Sequence, residues 1–202
     1  MQAFIIESTP QRAARSACDP HVVKILSETT QVLASAADAL GAWRRPMPRP
    51  THIHHPVVTW ARTSVLASHW LYAYGVALCD EYRHRYGRVH AYEPLYFDRR
   101  LWRGLLNGLS AHHYFPYAGH FAVAMPDEYR TEVRSESKQA SAGVAVRAYR
   151  RFYATAKAPL LRYTARKPPQ WLVHLLDKYG MPPAQYRESV DDDWSPVTRG
   201  AK

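Results

Sequence analysis

The sequence holds only two cysteines, Cys18 and Cys79, among 202 residues. No CxxC pair exists, so a disulfide framework is excluded and both thiols are expected reduced in the cytoplasm. No uninterrupted apolar run approaches the roughly 18–20 residues needed to cross a bilayer, so no membrane association is expected. The N-terminal MQAFIIESTPQRAARS lacks the basic start and long apolar centre of a secretion signal. There is no Walker A sequence, no GxGxxG and no GxSxG, which removes the signatures of nucleotide kinases, Rossmann enzymes and α/β-hydrolases. HExxH is missing as well. Histidines recur at His52, His54, His55, His112, His113 and His120, but without zinc-ligand spacing, so no metal and no other cofactor is expected.

Carboxylates are scarce too. Asp+Glu number 17 against 27 Lys+Arg, a formal net charge of +10. That excess favours a polyanionic partner, nucleic acid ahead of an acidic membrane. Hydrophobic residues make up 47%, enough for a real core, and the length suits one domain.

The hydrophobic pattern predicts a mainly α, compact single-domain helical fold over residues 1–182, with a short N-terminal strand at Ala3–Glu7. Pro10 opens a first helical stretch. Asp19 and Pro20 supply a capping residue and a first-turn proline for a long helix to about Leu40, stopped by Gly41. RRPMPRPTHIHHP (44–56) is a proline-broken loop. Val57–Tyr86 is helical, in two pieces, and ends at Gly87. Asp98–Leu106 is a short helix, and 107–143 a long functional loop. Val144–Arg166 returns to helix, Pro168-Pro169 break it, and Trp171–Tyr179 is the last helix. Residues 183–202 are polar and expected to be disordered.

The long helix carries an unusual stripe. With about 100° per residue and His21 at zero, Lys24 falls at about 300°, Glu28 at 340°, Gln31 at 280° and Ser35 at 320°. The apolar set from Val22 to Leu40 centres near 90°, so the stripe borders the core face. Polar groups there are half buried and held still, which suits a pocket wall. The same spacing also serves an ordinary solvated Lys24–Glu28 pair.

Further candidates sit in three other stretches. THIHHPVVTWAR (51–62) places His55, Trp60 and Arg62 at a proline-pinned helix start, a setting that suits phosphate. CDEYRHRYGRVH (79–90) interleaves Glu81, Arg85 and Arg88 with Tyr82 and Tyr86, the mixture of cations and rings that tracks a nucleic-acid backbone. A charged helix end would show the same residues. VRAYRRFYATAK (146–157) puts Arg147 and Arg151 on one face for phosphate contact. In the loop, AMPDEYR offers Asp127 as a candidate acid. Together, Gln31, His55, Arg62, Arg85, Arg88, Arg147 and Arg151 are the expected nucleic-acid contacts, and Trp60, Glu81, Tyr82 and Asp127 further pocket residues.

HVVKxxxExxQ, the HP turn followed by WxR, CDEYRHRYGRVH, MPDEYR, and AYRRFY before KPPQW occur in an order that resembles a family of small phage-encoded proteins over about residues 3–172. Through the glutamate on an early helix and the HP turn, the chain is similar to the pyrimidine-dimer DNA glycosylases of the endonuclease V type. The resemblance implies a compact helical enzyme acting on a pyrimidine base in DNA, in the host cytoplasm. Glu28 matches the catalytic carboxylate, which steers charge at the sugar C1′ as the base leaves. Relatives use the exposed chain N-terminus as the amine that forms a Schiff base. Here bulky Gln2 follows Met1, so Lys24 would supply the amine, with His21 beside it. Two alternatives remain open from the residues. One is a hypermodification transferase, in which an amine or amino-acid donor displaces an activated hydroxymethyl group on a pyrimidine, with His21 and Lys24 neutralising the leaving phosphate and Glu28 as base. The other is a non-enzymatic DNA-binding or host-interaction protein.

Overall fold

The computed structural model describes residues 1–106, 119–133 and 138–188. It is mainly helical, as the pattern predicts. Helix α1 spans Pro10–Ser16, α2 Asp19–Ala39, α3 Pro56–Thr63, α4 Val65–Tyr86, α5 Glu93–Phe97 and α6 Arg99–Leu106. Strands β1 (His120–Ala122) and β2 (Gln139–Ser141) pair antiparallel, and α7 follows at Ala142–Ala156. Strand β3 (Arg162–Thr164), α8 (Gln170–Lys178) and β4 (Gln185–Arg187) close the described chain, β3 and β4 running parallel.

Helices α2 and α4 are the two long elements, and α1, α3, α5 and α6 pack around them. Val22, Ile25, Leu26, Val32 and Leu33 of α2 and Leu71, Tyr74 and Leu78 of α4 are buried in the seam. Burying such side chains stabilises by about 1.5–3 kcal/mol each before entropy is counted. Gly75 lets α4 approach α5, because a Cβ there would lie 2.2 Å from the Tyr96 ring. Gly87 ends α4 in the left-handed conformation, its N–H bonding to the Arg83 carbonyl.

Four expectations are corrected. Ala3–Glu7 forms no strand. Ala3, Phe4, Ile5 and Ile6 are all buried, so the segment has no solvent face to alternate with. Side chains take some of its backbone groups: Ala3 N–H donates to Gln2 Oε1 at 3.0 Å, and Arg150 Nε donates to the Ile6 carbonyl at 2.9 Å. The helix expected over Val144–Arg166 stops at Ala156, because Pro159 cannot continue it; a single 3₁₀ turn at Ala158–Leu160 leads into β3. The loop expected over 107–143 contains β1, a 3₁₀ turn at Asp127–Tyr129 and β2, while 107–118 and 134–137 lie outside the described residues. The polar segment from 183 carries β4, held by Gln185 N–H on the Leu161 carbonyl and Ala165 N–H on the Arg187 carbonyl, each at 2.9 Å. Residues 189–202 lie outside the described residues.

Candidate active site

The stripe on α2 divides into three environments. At its N-terminal end His21 is buried, 5% exposed, with its ring stacked on Phe4 at 4.5 Å between centroids. Nδ1 shares a hydrogen bond with Tyr153 Oη at 2.8 Å and lies 3.4 Å from Cys18 Sγ. Tyr153 Oη also accepts from the Cys18 N–H at 2.8 Å, so one hydroxyl ties the imidazole to the N-cap of α2. Burial, and then the charges of Lys157 and Lys24, push the pKa of His21 down to about 3. The ring is therefore neutral at working pH and supplies no positive charge. The helical wheel placed it at the core border; the N-terminal segment folding over it makes it core.

The middle of the stripe opens to solvent. Lys24 has 70% of its side chain exposed and Glu28 only 20%, with Nζ and Oε1 3.5 Å apart. Exposed pairs of this kind contribute little stability, about 0–1 kcal/mol. The half-buried carboxylate is held by its helix while the ammonium above it is free to move. The C-terminal end of the stripe grips the following loop. Gln31 Nε2 donates to the Arg49 carbonyl at 2.9 Å, and Ser35 Oγ bonds both the carbonyl and the N–H of Thr51. That loop delivers His55 as the N-cap of α3, its Nδ1 accepting from Val57 N–H at 3.2 Å. Burial lowers the His55 pKa, and the charges of the N-terminal amine and His52 lower it further. The N-terminal amine is thus within electrostatic reach of the same loop.

Several expected contacts stand elsewhere. Arg85 has no exposed side-chain surface. Its Nε donates to Glu81 and Nη1 to Asp19, each at 2.9 Å, and Nη2 to the Arg15 carbonyl at 3.2 Å. Arg166 also donates to Glu81, and Thr164 donates to Asp19 through both N–H and Oγ1. Burial disfavours the Arg85 charge, but Glu81 and Asp19 outweigh it and raise its pKa. With three donors bonded inside the fold and no exposed surface, Arg85 is a structural cation out of reach of a phosphate, and Glu81 is its counter-ion rather than a pocket acid. Trp60 is buried too. Its Nε1 donates to the His120 carbonyl at 2.7 Å and its ring packs with Trp70 and Phe121, so it offers no stacking face.

Tyr82 is half-buried against Tyr86 and His90. Arg88 is exposed just beyond Gly87, and Arg62 is half-buried near the end of α3. Arg147 is exposed and paired with Glu132 at 2.8 Å, Arg151 donates to Thr131 Oγ1 at 3.1 Å, and exposed Asp127 pairs with Arg130 at 2.8 Å. The structure thus brings Lys24, Glu28 and Gln31 to one open face beside the loop that carries His55, and places Trp60, Glu81 and Arg85 in the interior.

Burial pushes the thiol pKa of Cys18 to about 11 and that of Cys79 to about 12, so neither is a ready nucleophile. Among the described residues no group of three His, Cys, Asp or Glu side chains is placed to hold a metal, while His112 and His113 lie outside them. Nor is any described helix long and apolar enough to cross a membrane. Sequence reasoning missed the Phe4–His21–Tyr153 packing that fixes the start of α2. It also passed over the arginines of the α2–α3 loop and of α6. The signal for them was present: no carboxylate occurs between Asp38 and Asp80.

Residues 1–93 match the sequence model of the pyrimidine dimer DNA glycosylase family. The matched stretch runs through α1–α4 and contains Lys24, Glu28, Gln31 and His55; it ends before Asp127, Arg147 and Arg151. The similarity to those glycosylases noted in the sequence is borne out over this stretch. No curated protein and no solved structure matches the chain.

Proposed function

We propose that the chain is a base-excision enzyme that cleaves the glycosidic bond of a damaged pyrimidine in DNA, with Glu28 as its catalytic carboxylate. The observation that carries this reading is the Lys24–Glu28 pair. It is the solvent-open part of the α2 stripe, and it falls inside the segment that matches the glycosylase family. As the bond from C1′ to the base breaks, positive charge develops on the sugar. A half-buried carboxylate fixed on a helix stabilises that charge with little reorganisation. The base leaves with the electron pair of the broken bond and takes up a proton.

Lys24 supplies the amine. Its ammonium first gives a proton to water, so Glu28 stays ionised. The amine then attacks C1′ as the base leaves and loses its second proton to water. The C1′–O4′ bond breaks, O4′ taking up a proton, to leave a Schiff base on the lysine nitrogen. The 70% exposure of Lys24 allows it to leave its salt bridge and reach the sugar. His21, neutral and packed, positions the first turn of α2 and is not an acid or base in the reaction. Because a base inside a duplex is out of reach of a side chain, the target nucleotide or its partner leaves the stack during the reaction.

The test is a mass-spectrometric nucleoside digest of unmodified, ultraviolet-damaged and phosphorylated hydroxymethyl-uracil DNA after exposure to the chain with amino acids present. Release of a base from damaged DNA, reduced about 10²–10⁴-fold by Glu28→Gln, is the expected result. Borohydride should trap the wild type on DNA, and Lys24→Met should remove the trapped adduct. A heavier nucleoside in place of base loss would instead establish a modifying transferase. Intact DNA in every digest, with binding retained, would leave a DNA-binding protein.

A further inference from the structure

The 40–55 segment joining α2 to α3 has neither helix nor strand, yet it is firmly held. Gln31 bonds the Arg49 carbonyl, Ser35 bonds Thr51 on both sides, Trp43 Nε1 donates to the Pro48 carbonyl at 2.9 Å, and Met47 is buried in the core. Beyond Thr51 the chain makes a tight turn, closed by His55 N–H on the His52 carbonyl at 2.8 Å. His52 takes the left-handed conformation with φ 51°, and its Nδ1 lies 2.8 Å from Thr51 Oγ1. Ile53 and His54 are the two central residues of this turn, and Ile53 is 42% exposed. Arg44, Arg45 and Arg49 are exposed along the same segment.

We infer that this loop enters the DNA duplex, with Ile53 wedged into the base stack and Arg44, Arg45 and Arg49 on the flanking phosphates. The inference rests on the base-excision reading, and it names the element that opens the duplex for Glu28. Three observations converge on it. A lone apolar side chain at the tip of a rigid turn, among cations and imidazoles, has the form of an intercalating wedge. It lacks the broad apolar area that membrane insertion or a protein interface needs. The segment lies in the 41-residue stretch without a carboxylate, so no acidic side chain of the loop itself repels phosphate. Finally, it is pinned to the helix face that carries the proposed chemistry, since Gln31 follows Glu28 by one turn. A wedge must be stiff, because a flexible loop would lose its own conformational freedom on top of the unstacking cost.

Helix α6 extends the cationic surface. A Cβ on Gly104 would lie 2.5 Å from Ala42 Cβ, so α6 lies against the start of the loop, with Arg99, Arg100 and Arg103 exposed.

The experiment uses the full chain and a duplex with a cyclobutane pyrimidine dimer and 2-aminopurine opposite it. Wild type and Glu28→Gln should both raise the 2-aminopurine fluorescence on binding, since unstacking precedes chemistry. Ile53→Ala should still bind with a steep salt dependence. It should lose the fluorescence rise and release base about 10-fold or more slowly. Ile53→Leu should restore both. An Ile53→Ala protein with unchanged fluorescence and base release overturns the wedge, as does wild type bound to the duplex without a fluorescence rise, or wild type that does not bind it. A fluorescence rise that depends on Ile53, with no base released by wild type, upholds the wedge and refutes the base-excision reading alone.

Discussion

Acidification from pH 7 to pH 5 should destabilise the protein through His21. The imidazole is buried, stacked on Phe4 and bonded to Tyr153. Burial first, then Lys157 and Lys24, hold its pKa at about 3, below the ordinary 6.5. In the unfolded chain the same ring titrates near 6.5. Below that pH the unfolded state binds a proton that the native state does not, so stability is full above 6.5 and is lost as pH falls toward 3. At pH 5 the loss is about 2 kcal/mol, from 1.36 kcal/mol for each of the roughly 1.5 pH units below 6.5. For a chain of this size that lowers Tm by about 4–8 °C. The assay is urea unfolding at both pH values, followed by tryptophan fluorescence, for wild type and His21→Phe. The variant loses the bond to Tyr153 and should be less stable throughout, but its stability should fall by about 2 kcal/mol less between pH 7 and pH 5. His55 and His90 are also held down, burial being the main cause, but they are present in both proteins and cancel in the comparison. Equal pH dependence in the two proteins would refute the buried, neutral ring, and with it the conclusion that His21 carries no charge at the site.

Two other substitutions test the frame around the site. Arg85→Met strips Asp19 and Glu81 of their shared cation in a buried cluster and should cost about 3–5 kcal/mol in urea unfolding. The salt dependence of DNA binding should not change, because Arg85 has no surface to offer a phosphate. A loss under about 1 kcal/mol would mean that the two carboxylates find other partners. Gly75→Ala places a methyl 2.2 Å from the Tyr96 ring, which is itself buried and bonded to Thr30. It should cost about 1–3 kcal/mol by overpacking, read as a lower urea midpoint. No change there would show that α5 yields freely.

The long helices were legible because their signals are local. Pro20 sets the first turn of α2 and Gly87 stops α4 locally, but the N-cap is Cys18, and the Asp19 carboxylate expected to cap the helix bonds Arg85 and Thr164 instead. Lys24 and Glu28 were legible as a pair for the same reason. His21 was not, because what covers it comes from Phe4 and from Tyr153, 132 residues away. A helical wheel shows which residues share a face but not what lies over it. Glu81 and Arg85 have the spacing of a surface pair, and only the arrival of Asp19 and Arg166 makes them interior. The arginine-and-proline run at 44–50 reads as an irregular connection. Its rigidity comes from Gln31 and Ser35, and helical spacing shows that these two share a stripe but not that a loop crosses it.

The matched segment ends at residue 93, but the start of α2 within it is held from outside it. Tyr149 Oη donates to Gln2 Oε1, Arg150 binds the Ile6 carbonyl and Glu7, and Tyr153 binds Cys18 and His21. Tyr163 donates to the Ser16 carbonyl and Thr164 bonds Asp19. All these contacts fall between Gln2 and His21, so α7 and β3 clamp the N-terminal segment and the first turn of α2. Lys24 lies three residues beyond His21 and Glu28 seven, on the same continuous helix. A rigid helix transmits a tilt at its first turn to every residue further along. The second half of the chain therefore sets the aim of the Lys24–Glu28 pair without contributing either member of it, and the loop carrying Ile53, gripped by Gln31 and Ser35 on that helix, moves with them.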